Sequence, residues 1–169
     1  LAEFTLGSGT QDFYDVSLVD GYNLQMIVEA SGGSGECGTT GCIDDLNRRC
    51  PSELKVADGG GCKSACDTFG TPEFCCKGAF DSPAACRPTA YSEVFKSACP
   101  KSYSYAYDDA TSTFTCMGAT DYVIIFCPTR RYYFYIFINY YYIIFIFLLY
   151  YAFKTFSYSN VIFFSVSEA

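Results

Sequence analysis

The 169-residue chain is 50% hydrophobic and 19% aromatic, contains 11 Cys and neither His nor Trp, and carries a formal net charge of −7. Without His there is no imidazole base, no Ser-His or Cys-His nucleophile pair and no His-ligated zinc, so carboxylates are the available acids and bases. The negative charge argues against nucleic acid, whose binding depends on Lys and Arg neutralising phosphates.

The averages conceal two materials. Residues 1–127 hold all 11 Cys, 17 of the 18 acids and 8 of the 11 bases, whereas residues 128–169 hold no Cys and 17 of the 32 aromatics. Cysteine near 9% in an acidic segment is the composition of a secreted disulfide scaffold. The chain starts at Leu1 inside an amphipathic pattern, with neither Met nor a signal sequence, and reads as a fragment of a longer precursor.

Residues 2–30 alternate apolar and polar side chains in two runs. Phe13, Asp15, Ser17 and Val19 fall on one face of a strand and Tyr14, Val16 and Leu18 on the other, while Gly7, Gly9, Gly21 and Gly32-Gly33 mark turns. Residues 37–99 carry nine of the 11 Cys among Gly, Pro, Asp and Ser, with two short helices expected there. One is Lys63–Phe69, stopped by Gly70. The other is Thr89–Ala98, where Tyr91, Val94, Phe95 and Ala98 share a face between Pro88 and Pro100. Further strands are expected at Tyr103–Tyr107, Ser112–Cys116 and Tyr122–Phe126, with Asp108-Asp109-Ala110 as a turn. The pattern is antiparallel sheet interrupted by a cysteine-stapled insertion.

Two readings compete for the cysteines. A zinc-thiolate cluster favours C-x₂-C knuckles, of which the chain has none, and vicinal Cys75-Cys76 suits one tetrahedral site poorly. Disulfides are therefore the better reading, each contributing about 2–4 kcal/mol, although sequence leaves their connectivity open. An odd count leaves one thiol over.

The runs LAEFTL at 1–6, QDFYDVSLVDGYNLQM at 11–26, CPSELKV at 50–56, GGGCKSACDTFGTPEFCC at 59–76, PTAYSEVFKSACP at 88–100, SYAYDDATSTFTC at 104–116 and YVIIFCP at 122–128 closely resemble the thaumatin-like, or pathogenesis-related group 5, proteins of plants. The resemblance covers nearly all of 1–128. It implies a mainly β fold: a partial β-sandwich of antiparallel sheets at 1–43 and 100–128, with a disulfide-rich loop and short-helix domain at 44–99. It also implies the bridges Cys37–Cys116, Cys42–Cys99, Cys50–Cys62, Cys66–Cys75 and Cys76–Cys86. Cys127 is then unpaired, because its family partner lies near a mature N-terminus that this chain lacks, along with roughly the first two-fifths of the domain.

The same resemblance implies an acidic cleft lined by Glu3, Asp15, Asp20 and Asp108, whose accompanying Arg lies in the absent segment. Such a cleft suits a neutral polyhydroxylated ligand, here β-1,3-glucan of fungal walls, whose hydroxyls donate to carboxylates while Tyr103 or Phe13 packs on sugar rings. Glu3 as acid and Asp15 as nucleophile or base would make a weak endo-β-1,3-glucanase. Binding without efficient catalysis is the favoured reading. Asp12 and Asp109 read as solvated turn or edge residues. The implied protein is a secreted antifungal monomer of the apoplast or vacuole, with no cofactor, metal or nucleic acid partner.

Other motifs carry little. Gly59-Gly60-Gly61-Cys62 lacks the Lys-Ser/Thr of a phosphate loop, the acids at 12, 15 and 20 lack calcium-loop spacing, and no Asn-x-Ser/Thr occurs. Tyr132–Phe153 is a charge-free run of 22 residues flanked by Arg130-Arg131 and Lys154. As a helix it would measure ~33 Å and cross a bilayer. Its composition, nearly all Tyr, Phe, Ile and Asn, instead favours translated non-coding sequence of A/T-rich codons over a membrane anchor.

Overall fold

Five antiparallel strands, β1 (Ala2–Thr5), β2 (Gln11–Val16), β3 (Met26–Ser34), β4 (Thr40–Cys42) and β5 (Phe114–Phe126), form a single sheet in the order β1-β2-β5-β3-β4. The computed structural model describes residues 1–7 and 10–128. The charge-free run at 132–153 lies outside the described residues. Among those described, no helix is long and apolar enough to cross a membrane.

The two-residue period of β2 sets the sheet's orientation. Tyr14 and Val16 are buried while Phe13, on the other face, is 45% exposed, so the register that hides one face presents the other. Tyr14 packs with Phe4, Phe114 and Tyr122, and its hydroxyl donates to the Gly38 carbonyl at 2.6 Å. Asp12 belongs to this buried face, contrary to its reading as a solvated residue. It accepts from the Gly7 amide at 2.9 Å and from the Tyr122 hydroxyl at 2.8 Å, the hydrogen bonds that a buried carboxylate needs.

β5 runs unbroken where the sequence suggested two strands. Its pairing with β3 shifts register between Ser31 and Gly32, where Gly32 and Gly33 take φ of +69° and +77°. The bulge carries the strand through this irregular stretch. At the far edge, Gly41 of β4 has φ +124°, and a Cβ there would stand 2.3 Å from the Met26 carbonyl oxygen.

The described residues contain four α-helical segments, α1 (Ala65–Phe69), α2 (Pro72–Cys75), α3 (Ala90–Ala98) and α4 (Asp109–Ser112), of which α1 and α3 are the two expected from sequence. Ser64 caps α1 by accepting from the Asp67 amide, and Gly70 ends it in the left-handed conformation. Thr89 and Ser92 form a capping box on α3, which lays Phe95 into the core. That core joins Leu18 and Tyr22, beyond the end of β2, to Leu46, Leu54, Phe95 and the half-cystines 42, 50, 62 and 99. The bridges Cys37–Cys116, Cys42–Cys99, Cys50–Cys62, Cys66–Cys75 and Cys76–Cys86 are all formed, and Cys127 is a free, exposed thiol. Met117, Val123, Ile124 and Phe126 of β5 remain exposed.

Residues 103–107 do not form the expected strand. Only Tyr103 bridges to Ser17, in parallel, through Leu18 N–H to Tyr103 C=O at 2.8 Å and Tyr103 N–H to Val16 C=O at 2.9 Å. The Asp108 carboxylate takes the Ser104 amide at 3.0 Å and hydroxyl at 2.9 Å, curling the chain into a loop. Asp109 then opens α4 where a simple turn was expected. Side-chain hydrogen bonds have replaced the ladder that the alternating pattern suggested.

Candidate functional site

Glu3 of β1 and Asp15 of β2 are direct cross-strand partners, as are their neighbours Thr5 and Phe13. Because side chains two apart in a strand share a face, Glu3, Thr5, Phe13 and Asp15 stand together on the face opposite the Tyr14 core. Asp15 is half-buried, and its Oδ1 has no partner among the ordinary donors. Its pKa is pushed up to about 6, first by burial, then by the charge of Glu3 and a hydrogen bond between the two carboxyl groups. The Leu1 ammonium opposes the shift and Asp109 adds to it. A like charge close by disfavours the ionised form of a carboxyl group, in the same direction as burial.

Tyr103 closes this group from the loop that follows α3. Its hydroxyl donates to Asp109 Oδ1 at 2.9 Å and contacts the Thr113 hydroxyl. Burial, followed by the charges and hydrogen bond of its acidic surroundings and opposed by the Thr113 hydroxyl, pushes the phenol up to about 12. The parallel bridge at Ser17 brings this ring beside β2.

The four carboxylates expected at the site occupy different settings. Glu3 and Asp15 are brought together. Asp20 is exposed in the turn after β2 and lines a separate cavity. Asp108 is buried and fully engaged: Lys96 Nζ lies 2.9 Å from its Oδ2, and Ser104 and Thr111 also donate to it. Its neighbour Asp109, read from sequence as merely solvated, is the one that reaches Tyr103 and bears on Asp15. The two adjacent acids at the start of α4 are thus divided, Asp108 engaged by Lys96, Ser104 and Thr111 and Asp109 by Tyr103. Among the described residues no group of three or more Cys, Asp or Glu side chains is placed to hold a metal ion.

A single antiparallel sheet stapled together with its loops and short helices by five disulfides, with an acidic pair at the sheet's open face, is the architecture of a thaumatin-type protein. Residues 1–128 match the model of the Thaumatin family, and the chain belongs to that family. It is 66% identical over 136 residues to "Thaumatin-like protein 1" of Arabidopsis thaliana, covering 76% of this chain and 52% of that protein. "Pathogenesis-related protein 5" of the same plant is 61% identical over 132 residues, 76% of this chain and 55% of that one. A protein of Prunus avium named "Glucan endo-1,3-beta-glucosidase" is 55% identical over 133 residues, 76% of this chain and 54% of its own length. The chain thus spans about half the length of the curated relatives it matches.

Proposed function

We propose that residues 1–128 form the carbohydrate-facing part of a secreted, pathogenesis-related antifungal protein that binds β-1,3-glucan of fungal walls. The observation that carries this reading is the Glu3–Asp15 pair on one outward face with the exposed ring of Phe13. Paired carboxylates accept hydrogen bonds from sugar hydroxyls, and an aromatic ring beside them offers a flat apolar face to the C–H side of a pyranose. Five disulfides fit a protein that folds in an oxidising secretory compartment and works outside the cell.

The alternative is hydrolysis, favoured by the name of the Prunus avium relative. A retaining glycosidase holds its two carboxyl groups about 5–5.5 Å apart, flanking the bond to be cut. In this sheet Glu3 and Asp15 are adjacent register partners on one face, not groups on opposite sides of a cleft, an arrangement that supports binding over cleavage. The two readings separate in one assay. The full chain is titrated with laminarin while reducing-sugar release is followed: saturable binding weakened about tenfold by Glu3→Gln/Asp15→Asn, without sugar release, is expected. Sugar release abolished by Glu3→Gln would establish the enzyme instead, and binding indifferent to both substitutions would remove the site.

A further inference from the structure

Two Asp-Gly dipeptides occur in the chain, Asp20-Gly21 and Asp58-Gly59. In this pairing a backbone nitrogen can attack the side chain that precedes it, because glycine has no Cβ to obstruct the approach and its backbone turns freely. Both dipeptides lie near Cys62, and the fold holds them in opposite states.

Asp20-Gly21 is locked. The Leu18 carbonyl accepts from the Gly21 N–H at 2.9 Å, and Tyr22, the next residue, exchanges two hydrogen bonds of 2.7 Å with Cys62. A Cβ on Gly21 would lie 2.7 Å from the Cys62 carbonyl oxygen and 3.2 Å from Lys63 Cα, so this backbone has no space to rearrange.

Asp58-Gly59 is open. Residues 57–60 are exposed, and nothing lies within 4 Å of a Cβ placed on Gly59. The Asp58 carboxylate folds forward along the chain. Its Oδ1 accepts from the Gly60 N–H at 2.8 Å, and a Cβ on Gly60 would stand 3.6 Å from its carboxyl carbon. Such an Asx turn lays the carboxyl group over the intervening Gly59 peptide. One hydrogen bond, from the Gly59 N–H to the Val56 carbonyl at 2.9 Å, must open to free the attacking nitrogen. The flanks stay fixed meanwhile: Cys50–Cys62 closes the loop, Leu54 is buried, and the Lys63 N–H donates to the Leu54 carbonyl at 2.8 Å.

We infer that Asp58 is a modification site, at which the folded protein converts its own backbone to an isoaspartyl linkage. The Gly59 nitrogen bonds to the Asp58 side-chain carboxyl carbon, and the carboxyl C–OH bond breaks. The hydroxyl leaves as water with the amide proton, and a five-membered succinimide remains. Water then adds to one of the two ring carbonyls. Addition at the side-chain carbonyl breaks the new C–N bond and restores Asp58. Addition at the main-chain carbonyl breaks the original peptide bond, so that the chain runs through the side-chain carbon and a free α-carboxylate is left. One water is lost and one is gained, and no electrons are transferred. The product has one more main-chain carbon, in a loop exposed enough to take it, and its α-carboxylate can accept a methyl group from S-adenosylmethionine through an isoaspartyl methyltransferase.

The test is prolonged incubation of the full chain in oxygen-18 water, followed by reduction, tryptic mapping in ordinary water and methyl-acceptance assay with that enzyme. Trypsin separates the two sites: Lys55 and Lys63 delimit a peptide of residues 56–63, whereas Arg48 is the first basic residue after Asp20. In the folded chain, label at Asp58 is expected to exceed label at Asp20 by about tenfold, and in the chain reduced and unfolded in urea the two should agree within about twofold. Asp58→Glu, whose ring would need one more atom, should lose label and methyl acceptance at 56–63 with an unchanged circular dichroism spectrum. Equal labelling of the two sites in the folded chain, or undiminished methyl acceptance in Asp58→Glu, would overturn the inference.

Discussion

Glu3 and Asp15 face each other across β1 and β2 as direct register partners, and burial, followed by the charge of Glu3, raises the Asp15 pKa to about 6. An unfolded Asp titrates near ~3.9, so between about pH 4 and 6 the folded chain holds a proton that the unfolded chain has released. The stabilisation is complete below the unfolded value and is lost as pH rises through about 6. Because Asp15 is only half-buried, solvent screening limits the effect to about 1 kcal/mol. Asp15→Asn should remove this slope, melting above the parent at pH 7 and no higher than it at pH 4. Thermal melts across pH 4–7 that stay parallel for the two proteins would refute the raised pKa of Asp15.

Lys96 should be worth more than any exposed charge. Its ammonium serves Asp108, the Ser102 carbonyl at 3.2 Å and the Ser112 hydroxyl at 2.9 Å, and the Lys96 and Asp108 side chains are only 20% and 10% exposed. Lys96→Met strands a nearly buried carboxylate and should cost about 3 kcal/mol, part of which Asp108→Asn restores in the double variant. Urea midpoints of the four proteins read this directly. The loss should also free the 103–109 loop and weaken whatever Tyr103 and Asp109 hold.

Disulfide removal should scale with the ring it opens. Cys37–Cys116 spans 79 residues and Cys66–Cys75 spans 9. On the chain-entropy account the first is worth about 4.5 kcal/mol and the second about 2.5 kcal/mol. Paired Cys→Ser variants compared by denaturant unfolding should preserve that order. A larger loss from the short ring would mean that packing around α1 and α2, not loop closure, sets the contribution.

Gly41→Ala tests the sheet's far edge. With φ +124° and Met26 O and Ile27 Cα at 2.3 and 2.7 Å from the added Cβ, β4 must move away from β3, at a cost of about 3 kcal/mol. Gly59→Ala is the control, since its φ of +75° is strained but nothing lies within 4 Å, and about 1 kcal/mol is expected. Equal melting temperatures for the two variants would show that β4 is free to shift.

Local signals were legible where apolar spacing and helix stops carried them. The alternation of Tyr14 and Val16 against Phe13 placed β2's faces, Gly70 stopped α1, and the shared face of Tyr91, Val94, Phe95 and Ala98 marked α3. The failures have one cause. The alternating run at 103–107 looks like a strand, but Asp108 draws Ser104 back through side-chain hydrogen bonds, and Asp12 looks solvated until Tyr122, 110 residues away, covers it. In each case a polar side chain found a partner that apolar alternation does not reveal, four residues back for Asp108 and 110 residues away for Asp12.

Sequence by itself determined the chemistry available to this protein. A chain without His, rich in Asp, Glu and Cys, carries its chemistry chiefly on carboxylates and disulfides, and its motif runs carry the family. Only the tertiary structure decided which carboxylates act together. Lys96 captures Asp108 and leaves Asp109 to Tyr103, while strand register sets Glu3 against Asp15 and leaves Asp20 at a separate cavity. A carboxylate's role depends on which charges and donors lie within a few ångströms, and that distance is fixed by packing between segments far apart in the chain.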